Sequence, residues 1–195
     1  MIFSLNEKSE ESCIWIDIKD KVKKEKKEKK EKKEKKEKNL ASIHVFLNKW
    51  KEQYEKKKYF SFVINTELLT SPSVKDCYTA IKFIRKVKKE KTQYLTHSIV
   101  IINNYHVRNL LFYIFKIQKP VAPVFIVKDL KLGEELNNTI KTTSVRSPLV
   151  KCFCDINEVY YISNRADPDN YIIDKTLDAI DTIDDSIIAL KTLAE

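Results

Sequence analysis

Thr70-Ser71-Pro72-Ser73 gathers three hydroxyl side chains ahead of an amphipathic stretch, with Asp76 three residues beyond Ser73. A serine in front of a helix accepts a hydrogen bond from an amide two or three residues on, and the Ser73–Asp76 spacing is a weaker form of the capping box. The same oxygens offer a second chemistry. A phosphate there would meet the positive end of the helix and its exposed amides. Capping is the commoner use of such serines. Asn103, Asn104 and Arg108 form a second polar cluster, in the turn behind the apolar run 98–102. Folds of the α/β class place their sites behind strand ends. Thr70, Ser71, Ser73, Asn103, Asn104 and Arg108 are therefore the candidate partner contacts, with the two serines as candidate phosphorylation sites. Lys82, Arg85, Lys86, Lys88, Lys89 and Lys91 crowd one stretch and form a candidate anion patch.

No catalytic constellation stands out. His44, His97 and His106 show no i, i+4 pairing and no acidic cluster beside them. No serine lies on a glycine elbow of the kind that activates a nucleophile. Gly133 is the sole glycine, which argues against a glycine-rich phosphate loop. Cys13, Cys77, Cys152 and Cys154 form no CxxC pair, so buried reduced thiols are expected rather than a zinc site. The expectation is a chain that is not an enzyme and holds no cofactor or metal.

The elements that must position these residues are legible from periodicity. The chain has 195 residues, 43% of them hydrophobic, enough for one domain with a core. No apolar run approaches the roughly 20 residues that span a bilayer, and the first residues lack a leader pattern, so a cytoplasmic protein is expected. Cys13–Ile18 alternates like a strand. A lysine-glutamate run over 19–38 follows, with 13 Lys and 6 acidic residues and no apolar face to bury. It reads as a solvated insert, helical or coiled-coil-like at most. Residues 40–58 carry Leu40, Ile43, Phe46, Leu47, Trp50 and Tyr54 at helical spacing. Tyr59–Ile64 reads as a strand, and Ser73 opens a helix with Cys77, Ile81, Ile84 and Val87 on one face. Ser98–Ile102 is a strand apolar on both faces. Val107–Ile117 is a helix with Val107, Leu110, Leu111, Ile114 and Phe115 inward. Val124–Val127 is the next strand, and Gly133–Lys141 a short helix. Leu149–Cys154 and Val159–Ile162 suggest a hairpin or edge strand. An acidic amphipathic helix, Ile173 to Leu193, closes the chain. Alternation of this kind implies one mostly parallel sheet flanked by helices.

The passage Ile99-Val100-Ile101-Ile102-Asn103-Asn104-Tyr105-His106-Val107-Arg108-Asn109-Leu110-Leu111 resembles the third-strand-to-third-helix segment of STAS (SpoIIAA-like) domains, the anti-sigma-factor antagonists. Phe62–Thr66 followed by Ser71 and Ser73 resembles that family's strand before its serine-bearing helix, and Val124–Val127 its last core strand. The match runs over about residues 12–140 in order and spacing. Thr70-Ser71-Pro72-Ser73 stands where the family has Asp-Ser-Ser/Thr-Gly, and Asn65 where it has Asp, which weighs against a phosphorylation switch. The same stretch resembles CRAL-TRIO domains, through Tyr94-Leu95 and Lys119-Pro120.

The resemblance implies a single STAS-like α/β domain over residues 12–142, interrupted by the insert at 19–38, with a C-terminal strand and helix extension over 149–195. It implies a non-catalytic module that binds a protein partner. The alternative is a CRAL-TRIO-like protein that binds a lipid or an anionic membrane surface. Nucleic acid is disfavoured, because six acids dilute the lysines of the insert and no aromatic is interleaved. The acidic C-terminal helix is expected to dock on the basic Lys82–Lys91 face of a monomer.

Overall fold

A computed structural model describes residues 2–7, 13–19, 43–70 and 73–164. The insert, Ser71 and the acidic tail lie outside the described residues, and with them the docking expected of that tail. Among the described residues the order is β1 (Ile2–Glu7), β2 (Cys13–Lys19), α1 (Ile43–Lys56), β3 (Phe60–Leu68), α2 (Val74–Val87), β4 (Leu95–Ile101), α3 (Tyr105–Ile117), β5 (Val124–Val127), α4 (Leu130–Thr142), α5 (Pro148–Ile156) and β6 (Tyr160–Ile162). The six strands form one sheet in sequential order. Strands β2 to β5 are mutually parallel, while β1 and β6 pair antiparallel at the two edges.

Sequential order has a geometric consequence. Each crossover between adjacent parallel strands turns with the same hand, so its helix lands on the same face. Helices α1, α2 and α3 accordingly share one face. There Ile14, Ile16, Phe60 and Phe62 meet Ile43, Phe46, Leu47 and Trp50 of α1 and Ile84 and Val87 of α2. Val100, Ile102, Val124 and Ile126 meet Val107 and Phe112 of α3. The other pleat of the same strands, Cys13, Val63, Ile99, Ile101, Phe125 and Val127, packs under Leu136 and Ile140 of α4 and Val150 and Cys154 of α5. The apolar run in β4 is thus covered on both sides, as its composition predicts.

Five details differ from the sequence reading, the first being β1, an edge strand ahead of residue 12 where the domain was expected to start. Leu149–Cys154 is no strand: it belongs to α5, opened by Ser147, whose hydroxyl accepts from the Leu149 amide, with Pro148 in the first turn. Ser-Pro ahead of Val150 and Cys154, four apart and both buried, is a helix start that an apolar count alone overlooks. Helix α4 begins at Leu130 rather than Gly133, because Asp129 accepts from the Leu132 amide at 2.9 Å. On α3 the fully buried ring is Phe112, while Leu111 and Phe115 are only partly covered. Cys152 is exposed, whereas Cys13, Cys77 and Cys154 are buried.

Gly133 explains its own presence. A Cβ there would lie 3.1 Å from Ile101 Cγ1 and 3.5 Å from Val127 Cγ2. Helix α4 rests directly on the strands at this point. Gly133→Val is expected to cost about 1–3 kcal/mol by overpacking, despite the helix propensity gained on losing glycine. Urea denaturation checks this, and a variant as stable as the parent would contradict the close approach.

Candidate functional site

One concavity runs along the sheet under helices α1 to α3, and another lies at the carboxyl ends of its strands. The first is an apolar cavity of about 190 Å³ between the sheet and helices α1, α2 and α3. Phe46, Trp50, Phe62, Ala80, Val100 and Phe115 are among its walls, and its surface is almost wholly apolar. Trp50 of α1 packs its ring between Phe62 of β3 and Phe83 of α2 at one wall. The Trp50 ring lies 5.2 Å from Phe62 and 5.3 Å from Phe83, between centroids, in tilted or edge-on geometry.

The second is a crevice of about 420 Å³ beyond the carboxyl ends of β4 and β5. Ile102, Ile126 and Val127 floor it, and Arg108, Lys128, Asp155, Glu158 and Tyr160 bring polar groups to it. The chain leaving β4 turns to the face of α3, and the chain leaving β5 turns to the face of α4. Divergence of two neighbouring connections opens the crevice where α/β folds bind ligands.

The candidate contacts separate into distinct roles. Ser73 is the N-cap of α2 and accepts from the Asp76 amide at 3.3 Å. Thr70 is exposed in the bend after β3, and Ser71 lies outside the described residues. Asn104 is the N-cap of α3, its carboxamide oxygen accepting from the His106 and Val107 amides at 2.9 and 3.3 Å. Asn103 beside it is exposed. Only Arg108 enters the crevice. Its guanidinium carbon lies 5.5 Å from the Tyr105 ring centre and 5.3 Å from that of Tyr160.

Lys82, Arg85, Lys86, Lys88, Lys89 and Lys91 are all exposed, on the outer side of α2 and the turn after it. Arg85 Nε donates to Gln118 Oε1 at 3.3 Å, tying α2 to the end of α3, and Lys82 lies over the Tyr78 ring. They line neither concavity.

Lys128, Asp155, Glu158 and Tyr160 were not singled out from the sequence. They come from a strand end, a helix end and an edge strand, and no short-range spacing links them. Burial pushes the Cys77 and Cys154 thiols up to about 12, with Asp76 and Asp155 adding to it, so neither is a nucleophile at neutral pH. Among the described residues no three His, Cys, Asp or Glu side chains cluster to hold a metal ion, and no helix is long and apolar enough to cross a membrane.

No protein-family model, curated protein or solved structure matches this chain.

Proposed function

We propose that this chain is a non-catalytic binding module whose ligand is a small apolar molecule held between the sheet and helices α1 to α3. The single observation that carries this reading is the 190 Å³ cavity with apolar walls. Its size selects the occupant. A dry cavity of about 150 Å³ holds one benzene ring, so this one suits one or two rings or a short alkyl chain. A peptide helix, about 10 Å across, is excluded, and so is a lipid with two full acyl chains. Apolar binding is the function class that the CRAL-TRIO resemblance implies, here on a smaller scale. A second reading, the protein-binding STAS-like module, draws support from Leu68 and Tyr105, both more than half exposed, one beside each predicted contact turn.

Trp50 lines the cavity, and Trp15 belongs to the opposite face. Titration of the full chain with 1-hexanol, 1-octanol and naphthalene is therefore expected to shift tryptophan emission and raise the melting temperature. Ala80→Leu, which fills the space, is expected to weaken binding at least tenfold while the variant melts no lower than the parent. A module that binds only protein would leave emission and melting unchanged across the series, and that result would overturn the proposal.

A further inference from the structure

We propose that the crevice beyond β4 and β5 is a second, independent ligand site, which takes a small polyol or amino compound bearing an oxyanion. Arg108 grips the phosphate or carboxylate, and Asp155 and Glu158 accept hydrogen bonds from the hydroxyl or amino groups. This does not rest on the apolar cavity, which lies under the helices of one face and shares only Ile102 with the crevice.

Arg108 carries the inference. Tyr105 and Tyr160 flank its guanidinium at 5.5 and 5.3 Å. Cation–π attraction to the two rings holds the charge at this place, and a guanidinium offers a carboxylate or phosphate a bidentate partner. Its Nε is sealed from solvent yet donates to no group among the described residues. A ligand oxyanion is therefore met by the outer nitrogens of the guanidinium, on the crevice side, rather than by Nε. Asp155 and Glu158 line the same crevice, but neither comes within ion-pair distance of Arg108. The cation therefore has no counter-ion among the described residues, and the carboxylates remain available to other donors. Lys128, exposed at the end of β5, adds a second positive charge. The N-terminus of α3 is not part of the site, because the Asn104 side chain already accepts from its first amides.

Glu158 adds an independent sign. Its φ is +54°, in the left-handed region, one residue past the Asn157 cap of α5. Glycine fits that position at no cost, and a glutamate is strained there. Lys57 has the same φ but lines neither concavity, so it serves as the control. The volume, about 420 Å³, lies in the range of small-molecule sites rather than of flat protein interfaces.

The test uses the full chain and three probes: inorganic phosphate, glycerol 3-phosphate and glycerate. The last two share hydroxyls and differ in the oxyanion. Calorimetry at constant ionic strength is expected to give saturable 1:1 binding of glycerol 3-phosphate or glycerate, tighter than inorganic phosphate. Whichever of the two binds more tightly identifies the oxyanion. Arg108→Gln is expected to weaken binding at least tenfold. Should that variant fail to fold, the exposed Lys128→Gln is expected to weaken it about threefold. Glu158→Gly is expected to raise the melting temperature and weaken the polyol ligand, while inorganic phosphate binds as before. Lys57→Gly is expected to raise the melting temperature and leave all binding unchanged. Failure of all three probes to bind beyond a sodium chloride control, or parental binding by Arg108→Gln or by Lys128→Gln, would overturn the site.

Discussion

Ile101→Asp is expected to leave the protein unfolded at room temperature. Ile101 is wholly buried, and its side chain lies against the backbone of α4 at Gly133. Among the described residues an aspartate there finds no cation on that pleat: Cys13, Val63, Ile99, Phe125, Val127, Leu136 and Ile140 are its company. An unpaired carboxylate in such surroundings either ionises at a cost of several kcal/mol or stays protonated with its hydrogen-bonding groups unmet. Loss of the isoleucine contacts adds about 2–5 kcal/mol. Together these are comparable with the stability of a domain of this kind, ~5–15 kcal/mol. Two controls sharpen the result. Ile101→Val is expected to cost about 0.5–1.5 kcal/mol. Leu149→Asp, on the exposed first turn of α5, is expected to change stability by less than about 0.5 kcal/mol. Circular dichroism melts of the three variants read this directly. A folded Ile101→Asp with the parental melting temperature would contradict the doubly covered sheet.

Acid is expected to destabilise the protein through His97. The ring is buried in β4 against Phe125. Thr96 Oγ1 donates its one proton to the Phe60 carbonyl at 3.0 Å, so at 3.0 Å from His97 Nδ1 it acts as acceptor. The imidazole is then the tautomer protonated on Nδ1, and Nε2 has no partner among the described residues. A second proton would have to sit on that buried Nε2 with nothing to receive its N–H. Burial accordingly holds His97 down to about 4, against about 6.5 for an unfolded histidine. The unfolded chain therefore takes up a proton first. The stability contributed by neutral His97 is fully present above pH 6.5 and is lost as the pH falls from 6.5 toward 4. Over that window the loss amounts to roughly 2–3 kcal/mol. Carboxylates titrate in the same range, and His97→Leu separates them. Urea denaturation of parent and variant at pH 7 and pH 4 is expected to shift the stability difference by that amount in favour of leucine. Parallel losses in both proteins would show that His97 takes up its proton while folded.

Much of this fold is local in origin and therefore legible in the sequence. Alternation in Cys13–Ile18 and the unbroken apolar run in β4 announce strands, because side-chain period is set by backbone geometry within a few residues. The face of α2, with Cys77, Ile81, Ile84 and Val87, follows from helical spacing alone, as does the Ser73 cap. Asp129 and Ser147 as caps and Pro148 as a helix opener are local signals too, whereas β1 becomes a strand through its pairing with β2. The class, an α/β sheet with helices on both sides, follows from the alternation itself.

The two candidate sites are of another kind. Which of Leu111 and Phe112 goes inward was decided by where α3 settles on β5 and β6. The apolar cavity exists because three helices, spaced by parallel strands, cannot fill the floor between them with the side chains they have. The crevice exists because the connections after β4 and β5 leave toward opposite faces, which depends on the winding of the whole chain. Arg108 could be suspected from its turn, but its clamp comes partly from Tyr160, 52 positions later. Periodicity is a property of neighbours in the chain, while a site is a property of neighbours in space, and only the sheet order made the second out of the first.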